Sequence, residues 1–319
     1  MSEFAVPSDL AAFRRFLDRT SGRIDAALTR LLPPARTRPA VVHEAMRYTA
    51  LSEGKRLRPG LVVLAYEASG GRGRKGDAVG AALEMVHAFS LIHDDLPCMD
   101  DDDMRRGQPS NHVVYGEGVA VLAGDALLTH AFQALAGLRR RSGFGPEITA
   151  RLIEELADAT GTHGVIGGQV MDLLSEGTRV PLRTVDYIHR HKTARLFRCA
   201  VRLGGVAADA PPAVLGALTR YGEAVGMAFQ IVDDILGAAG TVRELGREPG
   251  RDQARGKATY PSVAGFDASH RAVDRHLRAA LAETERFRDR TARFRGLVGM
   301  IDARRRDAGG GRLRPGGKA

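Results

Sequence analysis

Apolar residues recur along this chain at the spacing of a helix face, not at the alternation of a strand. Ile148, Leu152 and Leu156 repeat every four residues, as do Val273, Leu277 and Leu281. Leu218, Val225, Phe229 and Val232 share one face, and Val121, Leu128, Phe132 and Leu135 mark a further helix. Such periods predict amphipathic helices packed around a common core. Pro59, Pro97, Pro109, Pro146, Pro181, Pro211, Pro212, Pro249 and Pro261 fall between the periodic stretches and punctuate them. The expected fold is all-α, a single domain over residues 1–307, followed by a disordered Gly/Arg-rich tail over 308–319.

Polar residues interrupt this pattern most sharply after the apolar run Met85 to Ile92. There Asp94, Asp95, Asp100, Asp101, Asp102 and Asp103 lead directly into Arg105 and Arg106. Carboxylates this dense repel one another, so a cation is expected among them, most simply a divalent metal. Mg²⁺ takes oxygen ligands and shares itself with substrate phosphates, and a guanidinium grips phosphate oxygens in a fixed fork. A solvated acidic loop is the plain alternative. A second pair, Asp233 and Asp234, argues against it, because it stands in the apolar segment Phe229 to Leu236, where an unpaired carboxylate is costly. Two aspartate pairs, each at the end of an apolar helical pattern, point at one shared ligand. An EF-hand is excluded, since the spacing lacks the central Gly and closing Glu of a calcium loop.

Composition narrows the classes. The 319 residues are 44% hydrophobic but only 5% aromatic, with no Trp, so the core is aliphatic. Two cysteines, Cys98 and Cys199, supply neither a disulfide framework nor metal-ligand spacing, which suits a reducing compartment. The first residues show no secretory pattern, and no stretch is read as long and apolar enough to span a bilayer. A cytoplasmic protein without stable membrane insertion is expected. A net charge of +9 invites a nucleic-acid reading. The cations are scattered, though, no nucleic-acid module accompanies them, and no aromatic interleaving offers base stacking. Small diphosphates are the more economical partners, and nucleic acid is not expected.

Further short motifs are weak singly. Gly54-Lys55-Arg56-Leu57-Arg58-Pro59 sets three cations between rigid ends; such a run is usually a solvated helix end but can clamp an anion. His87 lies two turns before Asp94 on the same predicted helix. Gly168-Gln169-Val170-Met171-Asp172-Leu173, Lys192-Thr193-Ala194 and Gly256-Lys257-Ala258-Thr259-Tyr260-Pro261 complete the set.

Taken in order, these motifs resemble the trans-isoprenyl diphosphate synthases over Gly54 to Pro261, most of the chain. The resemblance implies an all-helical bundle around a central cavity, a homodimer, and head-to-tail joining of an allylic diphosphate to isopentenyl diphosphate. It implies Mg²⁺, three per site with Mn²⁺ able to substitute, held by Asp94, Asp95 and Asp100 on one side and by Asp233, supported by Asp234, on the other. It places Arg105, Lys192, Thr193, Gln230 and Lys257 on the allylic diphosphate, and Lys55, Arg58, His87 and Arg106 on isopentenyl diphosphate. Phe89, with the small Ser90 beside it, lies about 7.5 Å below Asp94 along the helix and would form the floor that stops the growing tail. An aromatic floor resembles farnesyl-producing members. Cys98 and the Ser110-Asn111-His112 stretch resemble geranylgeranyl synthases of plant type, which leaves the twenty-carbon product as the alternative. The chain departs from the family at Gly237, where the second motif ordinarily closes with an aspartate, and at Arg247, where lysine is usual. Those departures keep a third reading open, a weakly active or non-catalytic partner subunit.

Overall fold

The aliphatic periods fold as helices. The computed structural model describes residues 3–4, 6–239 and 256–309. In chain order it has α1 (Pro7–Leu31), α2 (Ala40–Ala50), α3 (Leu57–Ala68) and α4 (Lys75–Asp94), then β1 (Met104–Arg105) and β2 (Gln108–Pro109). There follow α5 (Asn111–Tyr115), α6 (Glu117–Ser142), α7 (Pro146–Thr160), α8 (Val165–Ser175) and α9 (Leu182–Ile188). A π-helical turn, His189–Ala194, joins α9 to α10 (Arg195–Ala207), and α11 (Pro212–Ala239) comes next. The chain closes with α12 (Tyr260–Ala264), α13 (Phe266–Thr284), a 3₁₀ segment (Glu285–Arg290) and α14 (Thr291–Gly309). The all-α expectation holds, and β1 and β2 form only a two-residue antiparallel ribbon, with Met104 opposite Pro109. Of the tail expected over 308–319, Ala308 and Gly309 continue α14 and so are not disordered, while the residues from 310 onward lie outside the described residues, as does Arg247.

One continuous apolar core runs from Phe4 to Ile301. Helix α4 passes through it, packed by α1, α3, α6 and α10. Its residues from Val79 to Ile92 are mostly buried, so the helix delivers its polar C-terminal end at a fixed place. Helix α11 does the same from the opposite side, packed by α10, α13 and α14. The expected faces of α7, α11 and α13 are the buried ones: Leu152, Leu156, Leu218, Val225, Val232, Val273 and Leu277 are all inside.

Helix α6 corrects the sequence reading twice. Leu135 is buried and Leu128 and Phe132 pack against the core, but Val121 and Leu122 are exposed. The inward stripe is Ala120, Ala123, Leu127, Ala131, Ala134 and Leu138. Small residues are needed there because α6 runs close to α4: a Cβ at Gly124 would lie 2.2 Å from the His93 ring. The stretch Glu117–Arg140 is also long and apolar enough to cross a membrane by length and composition, contrary to the expectation that none would be. Its apolar residues are divided between the α4 contact and an exposed face, and no membrane is needed to account for the buried half.

Candidate active site

The acidic motif folds back on the end of α4. Pro97 stops the helix, and the loop closes through backbone bonds from Asp100 N–H to the Asp94 carbonyl (2.7 Å), Asp101 N–H to Leu96 (3.0 Å) and Asp102 N–H to Asp95 (3.1 Å). The six-residue spacing thereby sets Asp94, Asp100 and Asp102 along one wall of a cavity of about 410 Å³. Desolvation inside this cleft pushes the Asp94 carboxyl up to about 6; Lys192 opposes the shift and Asp100 adds to it. A carboxylate held at the negative end of a helix and beside another carboxylate is a strong seat for a cation. Asp95 is turned the other way. It is buried against Arg105, whose Nε donates to it at 2.9 Å, and it lines neither cavity described here. The β1–β2 turn, with Arg106 and Gly107 both at positive φ (53° and 79°), presents the two arginines beside this loop.

The facing wall comes from three segments. The π-helical turn supplies Lys192 and Thr193, consistent with the use of such irregularities at functional positions. Helix α8 lies against this turn so closely that a Cβ at Gly168 would stand 2.3 Å from the Lys192 backbone nitrogen. That approach brings Asp172 within 2.6 Å of Lys192 Nζ. Burial works against the Lys192 charge, but Asp94 and Asp172 hold its ammonium above the ordinary lysine range. Helix α11 supplies Gln230, Asp233 and Asp234, and Thr193 Oγ1 donates to Gln230 Oε1 at 2.7 Å. The third segment is the Gly256–Pro261 loop, pinned by the Gly177 N–H to the Gly256 carbonyl (2.9 Å). It is stiffened by Thr259, which caps α12 reciprocally with Ser262. The loop carries Lys257, whose Nζ lies 2.7 Å from Asp100 and so bridges the two walls.

A second cavity of about 490 Å³ adjoins the first, with a cationic side and an apolar side formed by Leu57, Phe229, Leu236, Met300 and Ala303. Lys55, Arg58, His87 and Arg106 line it, together with Arg14 from α1 and Arg304 from α14. Arg58, His87, Arg106 and Arg304 line both cavities, which therefore meet. Arg56 is spent on structure, donating to Asp25 and Glu84 at 2.8 Å each. Burial pulls Arg58 below the usual arginine range, and its Nε is buried without a partner. Burial, then the charge of Arg58, holds His87 neutral far below the ordinary histidine range. A buried guanidinium short of acceptors calls for an anion.

Of the residues expected from sequence, Ser90, Asp94, Asp100, Arg105, Lys192 and Thr193 line the first cavity with Gln230, Asp233, Asp234 and Lys257. Lys55 lines only the second, and Phe89 lines neither. Phe89 is buried on α4, its ring edge-on to His93 at 5.4 Å. Gly237 is buried and lines neither cavity. Residues given no role in the sequence reading also contribute: Asp102, Asp172, His189 and Arg304. Arg304 pairs with Asp233 and lies over the Phe229 ring at 5.2 Å. In sequence it stands in a run of three arginines, Arg304 to Arg306, among the scattered cations of the chain.

Among the described residues no three acidic, His or Cys side chains converge into a preformed metal cage. The donors are hard oxygens on two walls of one cavity, Asp94 and Asp100 facing Asp233, interleaved with lysine and arginine. That arrangement fits Mg²⁺-like ions that complete their coordination with phosphate oxygens and water.

The family model described as polyprenyl synthetase matches residues 39–294. A farnesyl diphosphate synthase of Escherichia coli is 45% identical over 264 residues, covering 81% of this chain and 87% of that protein. A heterodimeric geranylgeranyl pyrophosphate synthase large subunit of Arabidopsis thaliana is 44% identical, covering 76% of this chain and 66% of that one. Among solved structures, an FPP/GFPP synthase from Zymomonas mobilis superposes with a TM-score of 0.81 at 32% identity, covering 92% and 99% of the two chains.

Proposed function

Since the chain belongs to the polyprenyl synthetase family and is a short-chain prenyltransferase, we propose that it condenses isopentenyl diphosphate with dimethylallyl and then geranyl diphosphate to give farnesyl diphosphate. The observation that carries this reading is the pair of joined cavities, one lined by opposed carboxylates and cations, the other by a cluster of cations whose one carboxylate, Glu84, is paired with Arg56. Only a diphosphate that must leave needs more than protein cations, so the first cavity takes the allylic substrate and the second isopentenyl diphosphate. Arg105, Lys192, Thr193, Gln230 and Lys257 hold the departing diphosphate. Lys55, Arg58, Arg106 and neutral His87 hold the other and leave its double bond facing the allylic carbon. The allylic C–O bond breaks with its electron pair going to the diphosphate, the isopentenyl double bond attacks the allylic carbon, and a proton leaves to form the new alkene. The aliphatic walls, Val165, Ile188 and Leu196, exclude water from the electron-poor carbon.

Asp94 and Asp100 on one wall and Asp233 on the other are the residues we assign to three Mg²⁺, with Asp95 supporting the first wall through Arg105 and Asp234 standing behind Asp233. When bound, these ions would neutralise charge developing on the leaving group. Phe89 is assigned as the floor that ends the tail at fifteen carbons. We also read residues 1–307 as one cytoplasmic domain acting as a homodimer. The dimer reading rests on apolar side chains exposed on α5, α6 and α8: Val113, Val114, Leu122, Val170 and Leu174, the last 70% exposed.

The test is to incubate the protein with dimethylallyl and isopentenyl diphosphates and identify the products by chromatography. A fifteen-carbon main product, abolished by excess EDTA, is expected. A twenty-carbon main product would overturn the chain-length assignment, and product formation in EDTA would overturn the metal assignment.

A further inference from the structure

Adjacent aspartates in the second acidic pair occupy opposite environments. Successive helix positions point about 100° apart, so Asp233 and Asp234 cannot face the same way. Asp233 faces the cavity and Arg304, with a third of its side chain exposed. Asp234 is buried, and both of its oxygens are already engaged. Oδ1 accepts from Gln230 Nε2 at 3.0 Å. Oδ2 accepts from the Tyr260 backbone N–H at 2.7 Å and lies 3.1 Å from His189 Nε2.

Those three neighbours sit on the three segments that carry the residues assigned to the diphosphate. His189 opens the π-helical turn, three residues before Lys192 and four before Thr193. Gln230 lies on α11 one turn before Asp234 and also accepts from Thr193. Tyr260 follows Lys257 by three residues, and its ring lies against His189 with centroids 5.8 Å apart. His189 is itself buried, and its other ring nitrogen has no partner among the described residues, so the Asp234 contact is the ring's polar anchor.

We propose that Asp234 and His189 form a buried clip that holds the Lys192–Thr193 turn, α11 and the Lys257 loop in register, and that Asp234 is a positioning residue and not a metal ligand. The assignment rests on the prenyl-transfer reading above for its kinetic consequence but not for its structural one. The carboxylate accepts from Gln230 on one oxygen and from Tyr260 on the other, the His189 ring stands 3.1 Å from the second, and little capacity is left for a cation. Losing the clip lets Lys192 and Lys257 drift relative to the leaving diphosphate. A misplacement of about 1 Å can cost on the order of 10²-fold in rate.

The experiment compares His189→Phe, His189→Gln, Asp234→Asn and Asp233→Asn with wild type. His189→Phe should lower kcat by roughly 10- to 100-fold and raise KM for the allylic diphosphate, with KM for isopentenyl diphosphate unchanged. His189→Gln, whose amide N–H can reach the carboxylate, should restore most of the loss. The Mg²⁺ concentration for half-maximal rate should rise in Asp233→Asn and stay at the wild-type value in Asp234→Asn and both His189 variants. A second readout needs neither metal nor activity: amide hydrogen exchange at Tyr260 in the metal-free protein should be slow in wild type and faster in His189→Phe. Unchanged Tyr260 exchange in His189→Phe would overturn the clip even in a wholly inactive protein. A Mg²⁺ requirement in Asp234→Asn raised as far as in Asp233→Asn would restore Asp234 as a ligand.

Discussion

His87 shows most plainly how one side chain can be tuned by its surroundings. Burial, reinforced by Arg58 and Arg106, keeps it neutral in the folded protein. The unfolded chain takes up a proton near pH 6.5, the ordinary histidine value, and the folded one does not. Stability carried by neutral His87 is therefore present above that pH and lost as pH falls through it. Replacing His87 with Gln should flatten the pH dependence of denaturant stability between about pH 7.5 and 5.5; an unaltered slope would show that other groups set it. Phe89 gives a second residue-scale expectation. Because it is buried on α4 and lines neither cavity, a growing tail must reach it by opening the core. Phe89→Ala should lengthen the main product by at least one isoprene unit, read by chromatography of the dephosphorylated prenols. Residues within motifs were legible from sequence because their order and spacing specify a chemistry. Arg304 was not, since nothing local distinguishes it from the adjacent Arg305 and Arg306, and Asp234 differs from Asp233 only through what packs on each.

The elements were legible where period and burial coincide. Leu152 and Leu156 on α7, and Val273 and Leu277 on α13, are inside as their spacing requires. Helix α6 misled at its first turns because its inward residues there are Ala120 and Ala123, while the larger Val121 and Leu122 point out. A hydrophobicity pattern weights size, whereas the close approach to α4 at Gly124 demands smallness. The π-helical turn at His189–Ala194 left no mark in the pattern either, because one extra residue per turn does not disturb helical periodicity over so short a stretch. Gly168 tests whether the packing of α8 on that turn matters. An added methyl there meets backbone, not a movable side chain. Gly168→Ala should destabilise the fold by about 1–3 kcal/mol through overpacking and raise KM for the allylic diphosphate. A wild-type melting temperature and KM would show that the two helices separate at no cost.

Across the whole molecule, the fold uses one aliphatic core to hold two helix ends opposite each other. The C-terminal part of α4 brings Asp94 and the folded-back Asp100, and the end of α11 brings Asp233, so the metal-seeking carboxylates meet only in the assembled chain. The same assembly leaves exposed apolar side chains on α5, α6 and α8. If they form a dimer contact, Leu122→Glu should reduce the mass measured by light scattering in solution toward that of one chain; a wild-type mass would place the contact elsewhere. The central claim, that opposed carboxylates hold the ions that activate the leaving diphosphate, is tested most directly by steady-state turnover of Asp94→Ala beside wild type at saturating substrates and Mg²⁺. Turnover should fall by about 10²- to 10³-fold or more, the scale of losing a main electrostatic stabiliser, while KM for isopentenyl diphosphate and the far-UV circular dichroism spectrum stay at wild-type values. Wild-type turnover in Asp94→Ala would contradict the account.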